Sequence, residues 1–113
     1  MNVGAIMKKY GIKPKHKLGQ NFLVNDVVLA KIVDAAELKP TDNVLEIGAG
    51  LGVLTQELIK RAKRVLSVEV DRSLVYVLKQ TFRQAQGDKN NEAQIASDDL
   101  AMTRLVGGQA GSG

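Results

Sequence analysis

The sequence contains no cysteine and a single histidine, His16. That excludes a disulfide framework, a thiol nucleophile and a cysteine-ligated metal, and leaves almost nothing from which to build a zinc site. Aromatic residues make up only 4% of the chain, and proline occurs twice, at Pro14 and Pro40. No apolar run approaches the roughly 20 residues that a membrane helix needs. The opening stretch MNVGAIMKKYGIKPKHK lacks an apolar segment followed by a small-residue cleavage site. A cytoplasmic chain with no membrane partner is therefore expected. Acidic residues are also missing at the start: none occurs before Asp26, whereas Lys8, Lys9, Lys13, Lys15 and Lys17 all precede residue 18.

What is present suits one folded domain. The 113 residues are 44% hydrophobic and 25% charged, with a formal net charge of +4. All of the excess positive charge lies in the arm 1–17, because the remainder carries eleven basic and twelve acidic residues. Such an arm is either an electrostatic footprint for phosphate backbones or a solvated, disordered leader.

Beyond LGQNFLV (18–24), Asn25 or Asp26 can cap a helix running to about Leu38, with Val28, Leu29, Ile32, Val33 and Ala36 on one face. Residues 43–48, NVLEIG, read as a buried strand. GAGLG follows, then a helical pattern with Leu54, Leu58 and Ala62 on one side. Residues 64–70, RVLSVEV, form a near-continuous apolar strand, as expected when helices cover both faces of a sheet. Asp71 is a plausible N-cap for a helix to about Phe82, with Leu74, Val77 and Leu78 inward. A polar linker (83–91) leads to a weaker strand at 93–96 and then SDDL. This order predicts an α/β domain of about three parallel strands with flanking helices, in spatial order 3-2-1. Its first strand is then left at an edge, where self-association can start. The organisation expected is a basic arm (1–17), a binding half-domain (18–105) and a Gly-rich flexible tail (106–113).

The informative segment is 44–70. A strand runs into Gly48-Ala49-Gly50-Leu51-Gly52, and a helix starts at once. Glycines there allow a tight turn and close approach of a ligand, and the helix start offers free N–H groups. Glu69 ends the next strand about twenty residues on, where a carboxylate can accept both hydroxyls of a ribose. The layout reads as a nucleoside-binding half-fold. A dinucleotide fingerprint places its third glycine where this chain has Val53. The pattern E-x-G-x-G-x-G is instead similar to that of Rossmann-like S-adenosylmethionine-dependent methyltransferases.

Four stretches in order carry a closer resemblance: KKYGIKPKHK running into LGQNFL, then VLEIGAGLGVLT, VEVD and SDDL. Together they resemble the N-terminal part of the ribosomal RNA adenine N6-dimethyltransferases of the bacterial small-subunit type. The related erythromycin-resistance methylases usually differ inside the glycine loop and rank second. The resemblance implies S-adenosyl-L-methionine as cofactor and small-subunit (16S-type) ribosomal RNA as partner. It implies that Asn21 and Leu23 close over the cofactor and that Gln20 touches its methionine part. Gly48 and Gly50 would lie against it, Glu69 would hold the ribose, and Val70 would pack beside the adenine. Asp98 would bond the adenine amino group, with Asp99 or a plain helix cap as the alternatives. Glu46 would either receive the ammonium group through water or be a solvated strand-end acid. Lys13, Lys15, His16 and Lys17 would contact RNA.

The family grips its target adenine with an Asn-Leu-Pro-Tyr type motif. Here the two prolines are followed by Lys15 and Thr41, so no catalytic residue is assigned and the chain is expected to be inactive alone. Two other classes remain: a non-catalytic RNA- or cofactor-binding module reusing the fold, and a dinucleotide oxidoreductase half-domain, which Val53 and LGQNFL disfavour.

Overall fold

A computed structural model of the chain describes residues 2–13, 25–86, 92–97 and 102–106. In chain order the elements are α1 (Val3–Tyr10), α2 (Asp26–Ala36), β1 (Asn43–Ile47), α3 (Val53–Arg61), β2 (Arg64–Val68), α4 (Arg72–Gln86), β3 (Glu92–Ala96) and β4 (Met102–Val106). The sheet order is β1-β2-β3-β4. The three strands expected from the sequence are parallel and lie in the expected order, with Glu46 opposite Ser67 and Val65 opposite Ala93.

The structure adds to the sequence reading in three places. First, β4 was not anticipated: it pairs antiparallel with β3 and runs one residue into the segment read as a flexible tail. An antiparallel return needs only a short connection, which the five residues between β3 and β4 supply. Second, α4 continues to Gln86, into the segment read as a linker; nothing in RQAQ breaks a helix. Third, part of the basic arm is helical. Asn2 caps α1 by accepting the Ala5 N–H at 3.0 Å, and Gly11 closes it in the left-handed region (φ 62°).

The strands were also expected to be covered on both faces, and among the described residues they are not. One face (Val65, Ser67, Ala93, Ile95) is buried beneath Leu58, Ile59 and Ala62 of the α3 segment and Leu78 and Phe82 of α4. On the other face no residue of β1, β2 or β3 is buried, and Leu45 and Ile47 are 61% and 72% exposed. A second cluster lies beyond α4, where Val3 of α1 packs with Leu51, Leu74 and Val77.

The caps at Asn25 and Asp71 are present. Asn25 accepts from the Val27 and Val28 N–H groups at 2.9 and 3.2 Å, and Asp71 accepts from Ser73 N–H at 3.0 Å. The apolar face expected on α2 is only partly used. Val33 is buried and Leu29 half-buried, whereas Val28, Ile32 and Ala36 are exposed. Among the described elements α2 packs chiefly on α3, and a helix packed mainly on one side buries only the narrow stripe facing it.

Candidate functional site

The site is built at the carboxyl ends of β1 and β2. The turn after β1 alternates glycines in the left-handed region (Gly48 φ 76°, Gly50 φ 60°, Gly52 φ 86°) with residues that carry side chains. Gly48 and Ala49 donate to the Val68 carbonyl at 2.8 and 3.2 Å, which ties the turn to the end of β2. The glycines divide the work. A Cβ on Gly48 would meet nothing within 4 Å, so that position faces open space. A Cβ on Gly52 would lie 2.8 Å from Thr81 Cγ2 and 2.9 Å from Leu78 Cδ1, so that glycine lets α3 start hard against α4. Thr81 adds a hydrogen bond from Oγ1 to the Leu51 carbonyl at 3.1 Å.

Glu69 closes the other side. Its Oε1 accepts the Gly50 N–H at 2.7 Å and its Oε2 accepts the Asp71 N–H at 2.9 Å. The carboxylate is buried, and each oxygen keeps further lone-pair capacity beyond its one backbone donor. Val70, next to it, is 51% exposed. The turn, the acid and the exposed Val70 thus adjoin one another at the carboxyl ends of β1 and β2, which form the mouth of the site.

Glu46 is not the solvated strand-end acid considered for it from sequence. It is buried on the covered face, where Thr55 Oγ1 donates to its Oε1 and Ser67 Oγ donates to the same oxygen at 2.8 Å. Burial pushes its carboxyl above the usual range; the hydroxyls of Thr55 and Ser67 oppose the rise, and the charge of Glu69 adds to it. Glu46 therefore fastens β1 to α3 and β2.

Of the cofactor residues expected from sequence, Gly48, Gly50, Glu69 and Val70 come together at this mouth. Gln20, Asn21, Leu23 and Asp98 lie outside the described residues, as do Lys15, His16 and Lys17. Lys13 is described and exposed. Sequence reasoning missed Thr81, Thr55 and Ser67, three hydroxyls inside apolar faces that look like ordinary interruptions of the pattern. A separate cleft of about 340 Å³ lies between α2 and α3, lined by residues such as Leu29, Val33, Val53 and Arg61, and includes none of the mouth residues.

A parallel three-strand core with a glycine turn after the first strand and an acid after the second defines a Rossmann-like nucleoside-binding half-fold. A profile described as "Ribosomal RNA adenine dimethylase" matches residues 11–103, and the chain belongs to that family. It is 53% identical over 78 residues to the ribosomal RNA small subunit methyltransferase A of Pediococcus pentosaceus, covering 69% of this chain and 26% of that protein. With the protein of the same name from Moorella thermoacetica it shares 42% over 111 residues, covering 96% and 37%. The chain thus spans between a quarter and two fifths of these relatives' lengths. Among solved structures, a dimethyladenosine transferase from Plasmodium falciparum superposes with a TM-score of 0.57 and 37% identity, covering 67% of this chain and 27% of that one. The 23S rRNA methyltransferase ErmE gives 0.56 and 34%, covering 72% and 30%.

Proposed function

We propose that this chain is the cofactor-binding part of an enzyme that methylates N6 of adenosines in small-subunit ribosomal RNA, with S-adenosyl-L-methionine as donor. The observation that carries the reading is the Glu69 carboxylate, held by Gly50 and Asp71 N–H groups at the mouth that Gly48 leaves open. The residues fit a nucleoside. Glu69 offers lone pairs to two sugar hydroxyls without giving up its backbone donors, and exposed Val70 offers an apolar surface to a flat base. The bound cofactor supplies a sulfonium-linked methyl group for the adenine amine. The chain's residues hold and orient the nucleoside, and positioning accounts for much of the acceleration in such transfers.

On this reading Gln20, Asn21, Leu23 and Asp98 complete the cofactor contacts, and Lys13, Lys15, His16 and Lys17 contact RNA phosphates. The domain division into arm, binding half and tail goes with the same proposal, as does a cytoplasmic location; among the described residues no helix is long and apolar enough to cross a membrane. Self-association through β1 is part of it too, supported by the sheet-edge position of that strand and the exposure of Leu45 and Ile47. The chain lacks an Asn-Leu-Pro-Tyr type motif, so methyl incorporation into unmethylated small subunits is expected to stay at the heat-killed background.

The deciding experiment is a calorimetric titration of the chain with S-adenosylmethionine, with Glu69→Ala alongside. Binding that Glu69→Ala abolishes, in a variant that still melts cooperatively, supports the reading. Equal binding by both proteins refutes the role of Glu69.

A further inference from the structure

The outer face of α4 and the end of α1 take no part in the cofactor mouth. On α4 the residues Leu74, Val77, Leu78, Thr81 and Phe82 are buried. At about 100° per residue, Arg72, Tyr76, Lys79 and Arg83 fall on the opposite side, within about 60° of one another. Arg72 and Arg83 are exposed, Tyr76 is 59% exposed, and Lys79 is half-buried. This stripe runs about 16 Å along the helix and begins three residues after Glu69.

The end of α1 extends the stripe sideways. The Tyr10 and Tyr76 rings meet edge to face with centroids 6.0 Å apart, and Lys9 Nζ stands 5.2 Å from the Tyr10 ring centre. Lys8 and Lys9 are exposed in the last turn of α1, and Lys13 is exposed just past its cap. Neither helix contains an aspartate or a glutamate. In the same domain α3 differs in composition, since it carries Glu57 beside Lys60 and Arg61. A solvated face ordinarily mixes both signs; among the described residues of α1 and α4 every charge is positive, set around an exposed aromatic ring.

We propose that the α1–α4 face is an RNA-docking surface that continues the basic arm, in which the stripe follows phosphates and Tyr76 stacks on an unpaired base. Cations of one sign suit a phosphate backbone, and an exposed ring suits single-stranded bases. A protein-docking face has instead an apolar centre depleted of lysine. The inference rests on the RNA-modifying reading; it carries the end of the basic arm across onto α4, apart from the cofactor mouth.

The test is fluorescence anisotropy of the full chain with a labelled single-stranded RNA of about 20 nucleotides, long enough to span several phosphates, titrated across a series of KCl concentrations. The paired variant Lys79→Gln with Arg83→Gln is expected to flatten the log K against log salt slope by about 1.4, or about 0.7 per lost phosphate contact. Lys79→Arg with Arg83→Lys keeps the slope. Tyr76→Ala weakens binding about 5- to 100-fold while Tyr76→Phe does not. Thermal melting of each variant separates lost binding from lost folding, and Lys8→Gln with Lys9→Gln on α1 gives an independent arm. An unchanged slope in both glutamine pairs overturns the surface, as does a wild-type chain that binds no RNA. S-adenosylmethionine titrations on the same proteins keep the two proposals apart. Cofactor binding with an unchanged RNA slope sinks the surface alone, and a flattened slope without cofactor binding sinks only the cofactor reading.

Discussion

At the carboxyl ends of β1 and β2 the two faces of the sheet invert the usual relation between polarity and cover. The covered face carries Glu46 and Ser67 at its carboxyl end, whereas the open face carries Leu45, Ile47, Leu66 and Val68. Polar groups are tolerated under α3 because they satisfy one another, with Thr55 and Ser67 both donating to one Glu46 oxygen. Among the described residues nothing comparable acts on the open face, where Leu45 and Ile47 are exposed. Apolar character therefore marks a strand as made for burial without saying which side is buried. That depends on where the helices pack.

The largest effect separating the two faces is expected at Phe82, fully buried beneath the covered one. Phe82→Ala should cost about 3–5 kcal/mol in a urea melt, and a loss below 1 kcal/mol would mean that face is poorly packed. Gly52→Ala comes next, at about 1–3 kcal/mol, because the new Cβ meets Thr81 and Leu78 at a left-handed φ. Gly48→Ala meets open space and should cost only about 1 kcal/mol for its φ, yet weaken S-adenosylmethionine more than Gly52→Ala relative to its cost in stability.

The third test concerns Glu46. Its folded carboxyl titrates above the unfolded value of 4.5. Its protonated form is thus favoured by folding, and its contribution turns less favourable as pH rises through and beyond that value. Glu46→Gln keeps an oxygen for Thr55 and Ser67 but does not ionise. The stability of the variant relative to the parent should therefore increase between acid and neutral pH, measured by parallel melts, and a constant difference would refute the account. The smallest effect is expected on the open face. Leu45→Thr with Ile47→Thr should change the melt by about 0.5 kcal/mol or less per site, while sedimentation reports any loss of self-association.

The sequence made the order of the three parallel strands readable because each apolar run is bounded by glycine, proline or a capping residue. Asn25 and Asp71 were legible as caps, since a short polar side chain before an apolar period has few other roles. The turn 48–52 and Glu69 stood out because positive φ and a strand-end acid leave marks in residue type. The use of α2 did not: Val28 and Ile32 have the period of a buried face, but periodicity cannot say how many neighbours a helix has. The helix α1 was hidden for a different reason. Lysines dominate the charge of residues 1–17, and that masked the apolar side chains of Val3, Ile6 and Met7, which dock on α4. Thr81 left no signal, because a hydroxyl among leucines and valines matters only through its bond to Leu51.

The five-residue turn GAGLG has one more consequence, for the order of assembly. Ala49 belongs to the cluster under the sheet, and Leu51, two residues on, belongs to the cluster that holds α1. The turn therefore acts as a rivet between two cores. Val3 has no seat until Leu51 has been set by a formed turn and Leu74 and Val77 by a docked α4, so α1 closes last. Its contacts with these residues span a long stretch of chain, and such contacts form late because their loop-closure entropy comes first. In reverse, local opening should release α1 while the sheet stays intact, and amide exchange should read residues 3–10 as the least protected helix.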